Sequence, residues 1–132
     1  WVRTIRGIDF INDSNGTNVG SVHKSLMSFS RPVILIAGGK DKGGDFLALK
    51  KIFKEKVKHL ILIGETKSKF RLMLNGSFSY EDAGSMEDAI GRAIDKAEAG
   101  DVVLLSPGCA SFDMFKDFVE RGNRFKEIVN RL

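Results

Sequence analysis

This sequence predicts a Rossmann-like α/β domain of three layers: a mainly parallel sheet with helices on both faces. Three observations point there. "PVILIAGG" (32–39), "HLILIG" (59–64) and "DVVLLS" (101–106) are apolar at nearly every position, as strands buried on both faces are. Stretches with apolar residues at helical spacing stand between and around them. Strands alternating with helices of this length imply right-handed crossovers, and so parallel neighbours. With 132 residues the chain can bury one proper core and not two, and it contains no internal linker or repeat.

The elements follow in order. "IRGIDFIND" (5–13) reads as a strand with a polar end. "TNVGSVHKSLMSF" (17–29) sets Val19, Val22, Leu26 and Phe29 at helical spacing, with Thr17 or Asn18 able to cap the helix. After the strand 32–39, "FLALKKIFKEK" (46–56) is an amphipathic helix that Asp45 can cap. The strand 59–64 leads to a further helix, "TKSKFRLMLN" (66–75), and to the edge-like "FSYE" (78–81). In "SMEDAIGRAIDKAEAG" (85–100), Ser85 with Asp88 suits a helix start and Gly100 its stop. Beyond the strand 101–106, the tail from Phe112 to Leu132 is mostly helical in pattern.

Composition narrows the function classes. The net charge of +4 is spread along the chain, and its densest group is Lys50, Lys51, Lys54, Lys56 and Lys58. A solvated helix face accounts for that group, and no RNA-binding aromatic motif accompanies it, so no nucleic-acid partner is expected. The single cysteine, Cys109, rules out an internal disulfide framework and suits a reducing cytoplasm. No apolar run nears the roughly 20 residues of a membrane span. The chain opens on Trp1, directly in strand-like sequence, and is expected to be a piece of a longer protein.

In open parallel sheets, ligands sit beyond the carboxyl ends of the strands. The unusual residues gather there. "NDSNGTN" follows the first strand, "GGKDKGGDF" the second and "SPGCASFDMF" the last. Each joins small residues to hydroxyls, amides or a lysine, which suits close backbone approach to a small anionic ligand. Nucleotide fingerprints are missing: no two glycines stand two residues apart, and no Gly-Lys precedes Ser or Thr. His23 falls mid-helix, His59 opens a strand and Cys109 has no evident histidine partner, so neither a metal site nor a nucleophilic triad is expected.

Taken as a set, "FINDSNGTNVGS" (10–21), "LIAGGKDKGGDF" (35–46) and "LLSPGCASFDMFKDFVERGNRFKEIV" (104–129) resemble the C-terminal domain of the Mur ligase family, in the branch that adds D-glutamate. They run from one end of the chain to the other in the family's order and spacing. The third is long and specific, and the first separates this branch from its sister ligases. The nearest rivals within the class are another Mur ligase and folylpolyglutamate synthetase, and the "NDS" loop and "SPGCASFDMF" argue against both. The rival of another class is a free-standing, non-catalytic α/β module that binds a small anion.

The resemblance implies that residues 1–132 are one domain of a monomeric, three-domain, ATP-dependent amide-forming ligase of peptidoglycan synthesis in the bacterial cytoplasm. The partners it implies are D-glutamate, ATP, UDP-N-acetylmuramoyl-L-alanine and the other two domains. The UDP-binding N-terminal domain and the ATP-binding central domain, with its Mg2+ ligands, lie outside this chain. No catalytic group is then expected here. Thr17, Lys42 and Ser111 match the positions that hold the D-glutamate carboxylates, and Phe118 matches one that contributes through its backbone. Asp13 matches the acid that meets the adenosine part of ATP when the domain closes. Read without the family, Asp13 and Thr17 would cap a turn and a helix. Asn15 stands where the family usually has lysine, which puts phosphate-side contacts in doubt; Asn15-Gly16 is itself a strong turn pair.

Overall fold

The structure is a computed structural model, and it describes residues 1–13, 19–38, 50–64, 79–106 and 117–132, apart from the side chains of Val19 and Phe118. The strands are β1 (Arg3–Ile5), β2 (Ile8–Asn12), β3 (Val33–Gly38), β4 (Val57–Ile63), β5 (Tyr80–Asp82) and β6 (Val102–Leu105). The described helices are α1 (Val19–Met27), α2 (Lys50–Lys56), α3 (Met86–Lys96) and α4 (Phe118–Asn130). The sheet runs β1-β2-β6-β3-β4-β5. All neighbours are parallel except β1 and β2, which pair antiparallel.

Alternation along β3 shows why its sequence is apolar throughout. Val33, Leu35 and Ala37 face a core completed by Val22 and Leu26 of α1 and by Ile52 and Phe53 of α2. Ile34 and Ile36 face the other core, under Ala89, Ile90 and Ala93 of α3 and Phe125 and Val129 of α4. A strand covered by helices on both sides has no position that tolerates a polar side chain, so period-two patterning is lost.

Three expectations change in detail. The strand expected over 5–13 is a hairpin, with Arg6 (φ 54°) and Gly7 (φ 79°) turning between Ile5 and Ile8. Two consecutive left-handed residues make the turn that matches strand twist; Gly7 meets that demand easily and the bulkier Arg6 conceals it. Helix α3 starts as expected, with the Ser85 hydroxyl accepting from the Asp88 amide at 3.0 Å. It stops earlier, at Ala97, whose backbone is extended (φ −83°, ψ 147°). Gly100 (φ 98°) belongs instead to the turn that feeds β6, where Asp101 Oδ2 accepts from the Glu98 amide at 2.9 Å. Strand β4 begins two residues early because a bulge near Val33 lets Lys58 leave the register and pair with Asp101 at 2.8 Å. In the tail, Asp117 caps α4 by accepting from the Glu120 amide at 2.8 Å. The expected helix 66–75 lies outside the described residues.

Candidate functional site

The sheet order brings three strand ends together. The chain's last strand, β6, lies between β2 and β3. The Asp13 amide donates to the Leu105 carbonyl at 2.7 Å, and the Ser106 amide donates to the Ile36 carbonyl at 3.3 Å. The carboxyl ends of β2, β6 and β3 are therefore neighbours, and in sequence each is followed by one of the three unusual stretches, most of whose residues lie outside the described ones.

Asp13 is the expected site residue whose side chain is described, and it is firmly held. One carboxylate oxygen, Oδ2, accepts from the Ser25 hydroxyl on α1 and from the Ser106 hydroxyl at 2.9 Å. Ser106 is fully buried at the end of β6, and Asp13 is half-buried. Among the described residues the partners of this carboxylate are two hydroxyls, and it caps no amide of α1. Phe118 is the first residue of α4, where backbone N–H groups have no intrahelical acceptor. Asn15, Thr17, Lys42 and Ser111 lie outside the described residues.

Gly38 closes β3 at φ 115°, and a Cβ there would stand 2.0 Å from the Ile63 carbonyl oxygen. Only glycine allows the chain to leave β3 in this direction beside β4. Arg121, in the first turn of α4, is 1% exposed although charged. Neither the Ser25–Asp13 contact nor the burial of Arg121 was visible in the sequence. Ser25 reads there as an ordinary polar position of an amphipathic helix, whereas Ser106 at least belongs to a suspicious loop.

The charged groups elsewhere act on the scaffold. His59, buried in β4, contacts the Ser79 hydroxyl through Nδ1 at 2.6 Å and Glu81 through Nε2 at 2.7 Å. Burial raises the Glu81 carboxyl, but hydrogen bonds from Arg92 and His59 outweigh it and hold the carboxyl below the ordinary range. This set ties the edge strand β5 to β4 and α3. At the opposite end of the sheet from Asp13, a groove of about 520 Å³ is lined by Arg31, Lys54, Lys56, Lys58, Glu98 and Asp101 among others. Arg31 pairs with Asp9 at 2.8 Å, and Lys56 donates to the Phe29 carbonyl at 2.9 Å. Lys58 pairs with Asp101, whose hydrogen bond raises the lysine's pKa. The lysine-rich stretch is thus in part internally compensated. Among the described residues no group of three His, Cys, Asp or Glu side chains could hold a metal ion, and no helix is long and apolar enough to cross a membrane.

Residues 1–109 match the family described as Mur ligase, glutamate ligase domain. The chain belongs to the Mur ligase family. Among similar proteins, the UDP-N-acetylmuramoylalanine–D-glutamate ligases of Geotalea daltonii and Pelodictyon phaeoclathratiforme are 50% and 44% identical over 132 residues, all of this chain. That of Caldicellulosiruptor saccharolyticus is 46% identical. This Mur ligase domain spans 28–30% of the length of these relatives. Its fold is also that of a solved domain from a Haemophilus ducreyi protein described as a UDP-N-acetylmuramate:L-alanyl-γ-D-glutamyl-meso-diaminopimelate ligase. The TM-score is 0.60 at 8% identity, over 95% of this chain and 94% of that one. The Mur ligase C-terminal fold is therefore shared where almost no sequence is.

Proposed function

We propose that this chain is the D-glutamate-holding domain of a cytoplasmic, monomeric three-domain ligase that makes UDP-N-acetylmuramoyl-L-alanyl-D-glutamate for peptidoglycan. The observation that carries the reading is the 44–50% identity to D-glutamate ligases across the whole length of the chain. The adjacency of β2, β6 and β3, the strands that the three small-residue stretches follow in sequence, supports it.

In the proposed reaction, the γ-phosphoryl group of ATP passes to the carboxylate of UDP-N-acetylmuramoyl-L-alanine, giving ADP and an acyl phosphate. The amine of D-glutamate attacks the carbonyl carbon, the C–N bond forms, phosphate leaves and the nitrogen loses a proton. Mg2+, held by the central domain, would offset the phosphate charge. The domain's own task is placement. Thr17, Lys42 and Ser111, with the Phe118 backbone, hold the two carboxylates of D-glutamate, so that its amine meets the acyl phosphate in a productive geometry. Charge-assisted hydrogen bonds are the strong kind for a dianion in a cleft. Asp13 meets the adenosine part of ATP, and Asn15 occupies a place on the phosphate side.

The test is Lys42→Ala in the full-length enzyme. Losing one charged hydrogen bond costs about 1.5–3 kcal/mol, so KM for D-glutamate is expected to rise roughly 10- to 100-fold, with KM for the UDP-linked substrate little changed. Equal weakening of both substrates would refute the assignment of Lys42 to D-glutamate.

A further inference from the structure

We infer that Ser25 and Ser106 are positioning residues for Asp13, holding one oxygen of its carboxylate so that the other is presented to the nucleotide. The inference rests on the proposed role of Asp13 at the adenosine part of ATP.

Asp13 stands one residue beyond β2, and its amide is bonded to the Leu105 carbonyl of β6. Its backbone is therefore tied to the neighbouring strand before the side chain is considered. Both side-chain bonds converge on Oδ2, from Ser25 on α1 and from Ser106 at 2.9 Å. A carboxylate oxygen has two acceptor sites, and each serine hydroxyl has one proton to give. The two hydroxyls thus fill Oδ2 and set the rotation of the carboxylate. Among the described residues Oδ1 accepts no hydrogen bond. Ser106 is 0% exposed, so its hydroxyl has little access to water and its described partner is Asp13. An ionised acceptor makes both bonds stronger than neutral ones. A carboxylate already oriented loses less freedom when a ligand arrives, and that difference appears as affinity. Residues from β2's end, α1 and β6's end thereby converge on one acceptor at the carboxyl ends of adjacent strands.

The experiment uses the full-length enzyme with Ser25→Ala, Ser106→Ala, Ser25→Thr, Asp13→Asn and the pair Asp13→Asn with Ser25→Ala. Thermal unfolding of each variant accompanies its kinetics. Each alanine is expected to raise KM for ATP roughly 2- to 10-fold, the range of one hydrogen bond, with KM for D-glutamate unchanged. Threonine, which keeps the hydroxyl, should restore KM for ATP. In the Asp13→Asn background, Ser25→Ala should add little, because the two act on one contact. If Asp13→Asn raises KM for ATP while both serine variants lower only the melting temperature, the serines are a structural staple. The inference then falls and the reading of Asp13 stands. If Asp13→Asn leaves KM for ATP unchanged, the reading of Asp13 fails and the inference fails with it. Equal weakening of every substrate by the serine variants also overturns it.

Discussion

At Gly38 the backbone leaves β3 at φ 115°, with the Ile63 carbonyl oxygen 2.0 Å from where a Cβ would stand. Gly38→Ala combines left-handed strain with a backbone clash, and neither can relax without separating β3 from β4. A loss of about 3 kcal/mol is expected, read as a lower urea midpoint at unchanged slope. A variant as stable as the parent would mean that this strand end is not held as described. Asn15 poses a different residue-scale question, because the family usually places lysine there. Asn15→Lys in the full-length enzyme adds one positive charge on the proposed nucleotide side. An effect on the order of 1 kcal/mol is expected, a several-fold fall in KM for ATP that fades with added salt. D-glutamate parameters should stay where they were; a change in those alone would move the first loop away from ATP. The residue roles proposed here come from the family resemblance alone. Nothing in "KSLMS" marks Ser25 as the partner of a carboxylate twelve positions away, because hydroxyls at polar helix positions are common and mostly solvated.

Elements were more legible, and their ends less so. Continuous apolar runs marked β3, β4 and β6 because burial on both faces excludes polar side chains. The Ser85 cap was readable because its acceptor lies three residues from its donor. Ser85→Ala is expected to cost about 1 kcal/mol, with the loss seen as a lower melting temperature. The β1–β2 hairpin was not readable, since the turn needs two left-handed residues and Arg6 is an unusual choice for one. Once formed, the hairpin is sensitive to acid. A hydrogen bond from Thr4, and then one from Arg31, hold the Asp9 carboxyl below its ordinary value. A depressed carboxyl stabilises the fold while ionised. That contribution is present above the unfolded value of about 4 and is lost as pH falls through the lower folded value. Glu81 is lowered too and acts in the same direction. Lys58 is raised, so its contribution is present through neutral pH and is lost only in strong alkali. The Arg31 side chain is 40% exposed, so solvent screens its pairing with Asp9 and the pair contributes under about 1 kcal/mol. Asp9→Asn should lower stability slightly at neutral pH and flatten its decline below about pH 4. An unchanged acid limb in a pH series of urea unfolding would show that Asp9 carries no such linkage.

For the whole molecule, the chain is expected to unfold in a single cooperative transition, as two cores sharing one sheet should. It is also expected to release no phosphate from ATP when given both substrates, because phosphate binding is assigned to a domain outside it. Coincident circular-dichroism and fluorescence transitions, with a phosphate assay, check both halves. The sequence by itself determined the fold class, the alternation of elements, the three chemical loops and their likeness to one family, since each rests on neighbours along the chain or on a local pattern. Tertiary structure alone decided that the last strand lies between the first two parallel ones. It alone decided that Ser25 and Ser106 meet on one oxygen of Asp13, and that Lys56 at the end of α2 and Lys58 in β4 answer the Phe29 carbonyl and the Asp101 carboxylate at the far end of the sheet. The reason is physical. Which strands become neighbours depends on how helices pack over both faces at once, and no local propensity records a contact between residues 93 positions apart.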